Sequence, residues 1–171
     1  MREDDILSQL RLESEEQLGK ASVMISTPEQ TQLLKLLIKF SNVKSILEIG
    51  TLTGYSTLAF ALCDKDINIT TLDINEEWSN LGKKYWKLAN VDSQIKSIIK
   101  PALQSLQELK QELKQFDLIY IDADKENQLK YIDFAYDLLR DNGLLIIDNV
   151  LWGGQVVFNE FKNTSCEFIR K

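Results

Sequence analysis

Four apolar runs end abruptly in residues that can do chemistry. IYIDADK (119–125) closes on Asp122, Ala123, Asp124 and Lys125, and GLLIIDN (143–149) closes on Asp148 and Asn149. TLD (71–73) ends on Asp73, and ILEIGTLTG (46–54) carries Glu48 ahead of Gly50 and Gly54. The Asp122 and Asp148 carboxylates with the Asn149 amide carbonyl form an all-oxygen donor set. Such a set suits a hard divalent cation, Mg2+ first, with Mn2+ or Ca2+ as alternatives, and leaves positions open for water or substrate. The competing reading makes Asp122 or Asp124 a helix cap and Asp148 or Asn149 a turn residue. Lys125 is a cation beside a helix start, where it opposes the helix dipole. Next to a divalent cation its ammonium pKa falls, which suits a general base; the alternative is a solvent-facing lysine. The chain has no histidine, so acid–base work falls to carboxylates, amides, lysine or tyrosine.

Gly50 and Gly54 form a G-x-x-x-G turn, neither a P-loop nor a GxGxxG fingerprint. A glycine turn at a strand–helix junction lets backbone approach a ligand closely. Glu48 repels a pyrophosphate and favours a ligand with a positive group, and S-adenosylmethionine carries both an ammonium and a sulfonium. The alternative is a plain strand–helix turn. Asp73 stands 23 residues after Gly50, where a carboxylate can accept from both ribose hydroxyls or cap a turn.

Positioning these residues requires strands that end together. Short apolar runs at 44–50, 67–73, 94–100, 116–122 and 143–148 read as strands. Helical spacing fills 3–18, 28–40, 55–63, 75–90, 101–113 and 127–140, and 159–171 reads as one more helix. Asn142 and Gly143 read as the left-handed cap ending the helix from 127. Strands alternating with helices imply an α/β fold, a parallel sheet of about five strands with helices on both faces. Ligands then bind outside the carboxyl ends of the strands.

The chain of 171 residues has 44% apolar and 27% charged residues, an ordinary balance for one domain. Its net charge of −6 disfavours a broad grip on nucleic acid or anionic membrane. Lys83, Lys84 and Lys87 share one helix and are read as a solvated face. Cys63 and Cys166 are isolated, which fits a reduced cytoplasmic protein. The sequence shows no signal peptide and no membrane-length apolar run.

ILEIGTLTGYSTLAFA, TLDIN, FDLIYIDADKENQ and LLIIDNVLWGG resemble, in this order, the cation-dependent O-methyltransferases of the caffeoyl-CoA and catechol O-methyltransferase-like family, bacterial branch. MISTPEQTQLL resembles the segment leading into that family's first core helix, so the resemblance runs from about Met24 to Gly154. It implies a Rossmann-like class I S-adenosylmethionine-dependent methyltransferase fold over 1–171. N-terminal helices would occupy 1–43, the cofactor-binding core 44–154 and the start of a C-terminal helix 155–171. Met24, Ser26, Glu48, Gly50, Ser56, Asp73, Ala102 and Asp122 would line the S-adenosylmethionine pocket, with Asp73 on the ribose and Ala102 by the adenine. Asp122, Asp148 and Asn149 would hold the cation. Lys125, with Asp122, would be catalytic, and Trp152 would flank the acceptor.

The acceptor implied is a catechol-like or caffeoyl-type small molecule, and the protein a homodimer. Some bacterial relatives methylate a hydroxylated uridine in tRNA, which remains an alternative. Family members continue for several tens of residues beyond the NVLWGG-like motif, into a helix and antiparallel strands. The expectation here is therefore a sheet without that antiparallel pair, with an uncovered edge and part of the acceptor pocket missing. A truncated cofactor-binding domain without activity is the other alternative.

Overall fold

The computed structural model describes residues 3–158, 160–161 and 164–170. Five parallel strands form one sheet in the order β3-β2-β1-β4-β5. They are β1 (Ser45–Ile49), β2 (Asn68–Asp73), β3 (Ile95–Ile99), β4 (Phe116–Ile121) and β5 (Leu139–Ile147). The helices are α1 (Asp5–Leu18), α2 (Pro28–Phe40), α3 (Tyr55–Ala61), α4 (Glu76–Leu88), α5 (Ala102–Gln111), α6 (Gln128–Leu138) and α7 (Thr164–Ile169). Their starts follow local chemistry. Thr27 Oγ1 accepts from Gln30 N at 3.2 Å ahead of Pro28, and Asn75 Oδ1 accepts from Trp78 N at 3.0 Å.

Strand alternation divides the core between two faces. Ile46, Ile69, Leu118 and Tyr120 pack with Leu7 and Leu10 of α1, Leu34 and Ile38 of α2, Leu58 and Phe60 of α3, and Trp86 of α4. Leu47, Ile49, Leu72, Ile119 and Ile121 meet Leu106 and Leu109 of α5 and Tyr131, Ala135 and Leu138 of α6. Helices cover both faces, as the alternation of elements predicts. The strand order reverses between β1 and β4, and that switch point opens a crevice beyond their carboxyl ends.

Two boundaries differ from the sequence reading. α6 ends at Leu138, and β5 begins at Leu139, which pairs with Phe116. Asn142 is left-handed (φ 63°) as expected, but it sits within β5, where the register slips between Phe116↔Leu139 and Leu118↔Leu144. Residues 140–143 therefore form an irregularity of the strand. The second difference lies at the end of the chain. A 3-10 segment, Trp152–Val157, precedes a short α7, where one longer helix was expected. Asn159, Lys162, Asn163 and Lys171, also assigned to that helix, lie outside the described residues. Among the described residues no helix is long and apolar enough to cross a membrane.

Candidate active site

A cavity of about 1830 Å3 opens where β1 and β4 end. The glycines of the β1–α3 turn serve the fold there. Gly50 has φ 101°, and a Cβ on it would stand 2.0 Å from the Asp122 carbonyl oxygen. Gly54 has φ 74°, and its Cβ would meet the Trp86 indole at 2.6 Å. Their missing side chains admit the Asp122 backbone and Trp86, and Gly50 also lines the cavity.

Asp73 organises the same turn. Its Oδ2 accepts from Thr51 N at 2.9 Å and Leu52 N at 2.7 Å, and its Oδ1 accepts from Asn75 N at 2.8 Å. The amides a dinucleotide fold offers to pyrophosphate are thus occupied by a carboxylate. This turn is built for a ligand other than a pyrophosphate. Asp73 also borders the cavity.

Glu48 was expected in the wall, but the structure places it beneath. It is fully buried, and its oxygens accept from Ser56 Oγ and Thr71 Oγ1, both at 2.6 Å, and from Thr57 Oγ1. Burial pushes its carboxyl up to about 7 against the pull of these hydroxyls, and the charge of Asp122 adds to the rise. Ser56 faces the cavity, so Glu48 acts on it through that hydroxyl.

Beyond β4 and β5 the parallel ladder continues by one bond each. Asp122 N donates to the Ile49 carbonyl and Asp148 N to the Ile121 carbonyl, both at 2.9 Å. The two carboxylates meet at one hydroxyl: Tyr120 Oη lies 3.3 Å from Asp122 Oδ2 and 3.2 Å from Asp148 Oδ2. Burial, and then the charge of Asp148, push Asp122 up to about 6, while Lys125 opposes the rise. Among the described residues no three Asp, Glu, Cys or His side chains gather as a metal cluster. Asn149, the third donor expected from the sequence, lines the same cavity. Two like charges held this close fit a divalent cation, which would offset their repulsion.

Lys125 is buried, which removes the solvent-facing alternative. Its Nζ donates to the Asp148 carbonyl at 2.9 Å, and burial lowers its pKa against the pull of Asp122, Asp148 and Asp124. Asp124 braces the turn that leads into α6, whose N-cap position is Asn127. Its Oδ2 accepts from Asn127 N at 3.0 Å, and its Oδ1 from the Tyr131 hydroxyl at 2.5 Å. Asn149 takes a left-handed φ of 57°, with its N–H on Asp148 Oδ1 at 2.6 Å.

Met24, Ser26, Ala102 and Trp152 also line the cavity, so every site residue read from the sequence except Glu48 reaches it. Two members were missed. Gln30 Nε2 donates to Asp148 Oδ2 at 2.6 Å and to the Tyr120 hydroxyl at 3.0 Å. The available signals were a tyrosine two residues before Asp122, hence on the same strand face, and an amide in the first turn of α2.

The O-methyltransferase family model matches residues 1–170. Catechol O-methyltransferase domain-containing protein 1 of Mus musculus is 40% identical, over 99% of this chain and 65% of its own length. Caffeoyl-CoA O-methyltransferase of Medicago sativa is also 40% identical, over 80% of this chain and 57% of its own. The O-methyltransferase from Bacillus cereus, solved in complex with SAH, superposes with a TM-score of 0.90 at 30% identity, covering 99% of this chain and 77% of that one. The chain thus spans 57% and 65% of the lengths of these two curated relatives.

Proposed function

The chain belongs to the O-methyltransferase family, and on that premise we propose that it methylates a hydroxyl of a small catechol-like molecule, using S-adenosylmethionine and a divalent cation. One observation carries the reading: Asp122 and Asp148 converge on the Tyr120 hydroxyl at the sheet's switch point, with Lys125 Nζ on the Asp148 carbonyl. SAH in the Bacillus cereus neighbour supports the cofactor, as does a turn whose amides are closed to pyrophosphate.

S-adenosylmethionine supplies a methyl group activated on a sulfonium. Asp73 would receive its ribose hydroxyls and Ala102 would border its adenine, while Met24 and Ser26 would close over the methionine end or the acceptor. Asp122, Asp148 and the Asn149 amide would hold the cation, whose chemistry is to lower the pKa of an oxygen bound to it. Lys125 Nζ would take the acceptor's proton, and burial prepares it by disfavouring the ammonium. Trp152 would shield the acceptor side from water. Most of the acceleration would come from this positioning.

The cavity's charge favours a small acceptor over tRNA. Asp73, Asp122, Asp124, Glu126 and Asp148 line it, with Lys125 as the basic residue among them. On the lysine-bearing α4, Lys84 Nζ is paired with Glu13 at 2.7 Å.

The test is methylation of a catechol with Mg2+, with chelator, and in Asp148→Ala. Turnover should need the cation and collapse in the variant, while calorimetry shows S-adenosylmethionine still bound. Turnover indifferent to chelator would overturn the cation reading.

A further inference from the structure

Gln30 and Tyr120 take no part in the chemistry above, yet both contact the acid pair. Tyr120 is 1% exposed, and its ring stands edge-on to Phe60 with centroids 5.7 Å apart. The core therefore fixes where the hydroxyl sits. A phenol has one proton to donate and lone pairs to accept with. Gln30 Nε2 donates to the phenol oxygen, which leaves the phenol proton to be shared by Asp122 Oδ2 and Asp148 Oδ2. The same Nε2 also donates to Asp148 Oδ2. Three elements thus meet at the pair: α2 through Gln30, β4 through Tyr120, and the end of β5 through Asp148. A turn needs no such arrangement, since Asp124 braces the turn ahead of α6 through its own local bonds.

We propose that Tyr120 and Gln30 are positioning residues for the cation, a cradle that ties down Oδ2 of both carboxylates and holds the like-charged pair together before metal arrives. The inference rests on the cation reading of the proposed function. Without the shared donors the carboxylates would relax apart, and each binding event would have to draw them together again. Partners that orient metal ligands commonly change affinity by about 10- to 100-fold when removed.

Mn2+ serves as the probe, titrated calorimetrically into the full chain and followed by the electron paramagnetic resonance of the bound ion. Tyr120→Phe keeps the ring against Phe60 and removes only the hydroxyl. Gln30→Ala removes the amide from the first turn of α2. Mn2+ affinity should fall about tenfold in each variant, with an altered resonance line shape. The double variant should lose less than the product of the two, because the groups share partners. S-adenosylmethionine affinity measured in chelator should stay within about twofold of wild type, a result that a general loosening of the fold would not give. Wild-type uptake of Mn2+ with unchanged affinity in both single variants would overturn the cradle alone. A wild-type chain that binds S-adenosylmethionine but takes up no Mn2+ would overturn the cation reading, and the cradle with it.

Discussion

Lys125 and Glu48 are both buried ionisable residues, but only one of them reaches the cavity. Lys125 points its Nζ at the Asp148 carbonyl, and under the proposed function its removal takes away the base while leaving the cofactor wall intact. Lys125→Ala should lower kcat by about 100-fold or more, with S-adenosylmethionine binding retained in calorimetry. Parallel losses of binding and rate would assign the lysine to the cofactor instead. Glu48 titrates from beneath the wall. Its carboxyl is raised from 4.5 to about 7 in the folded chain. Between those values the unfolded chain releases the proton while the folded chain keeps it, so this group's contribution to stability falls as pH rises through that window and is constant above it. The melting temperature of Glu48→Gln, measured relative to wild type, should therefore climb from about pH 5 to about pH 8. A difference independent of pH would mean that the folded carboxyl ionises normally.

Element ends decide what the residues can do, and the β1–α3 turn is the strictest of them. A methyl at Gly50 would collide with the carbonyl of Asp122, a residue whose N–H is tied to the Ile49 carbonyl. Gly50→Ala should cost about 3 kcal/mol or more in denaturant unfolding. Gly153→Ala meets no atom within 4 Å and keeps only the penalty of φ 62°, about 1 kcal/mol. Equal costs at the two positions would refute the steric account. The sequence announces this turn because its signal is local: an apolar run, two glycines, then helical spacing. The strand ends are legible for the same reason, an abrupt passage from apolar to acidic at Asp73, Asp122 and Asp148. What it hides is decided at a distance. Asn142 requires a left-handed bend, but whether that bend caps α6 or interrupts β5 depends on Leu139 pairing with Phe116. Gln30 meets its carboxylate partner 118 residues away, and no spacing rule connects the two. Glu48 looks like a wall residue in one dimension. Register with Tyr120 and the hydroxyls of Ser56, Thr57 and Thr71 put it underneath.

At the scale of the molecule, charge separates the acceptors that this cavity could serve under the proposed function. The chain carries 26 acidic and 20 basic residues, and the crevice is more one-sided, lined by five acids with Lys125 held on the Asp148 carbonyl. A cation would offset part of that field locally, but an acceptor bearing several phosphates would still approach against it. A neutral catechol would approach without that penalty. The rate for a coenzyme A thioester of a catechol acid should thus fall below that of the free catechol by about tenfold at low salt, and the gap should narrow as ionic strength rises and the field is screened within about 8 Å. kcat/KM for the two acceptors, measured across a salt series with Mg2+ held constant, provides the comparison. A thioester preferred at every salt concentration would show that groups outside this acidic crevice govern acceptor choice. tRNA, a far larger polyanion, should give no binding isotherm under the same conditions, and a salt-sensitive one would return the nucleic acid to consideration.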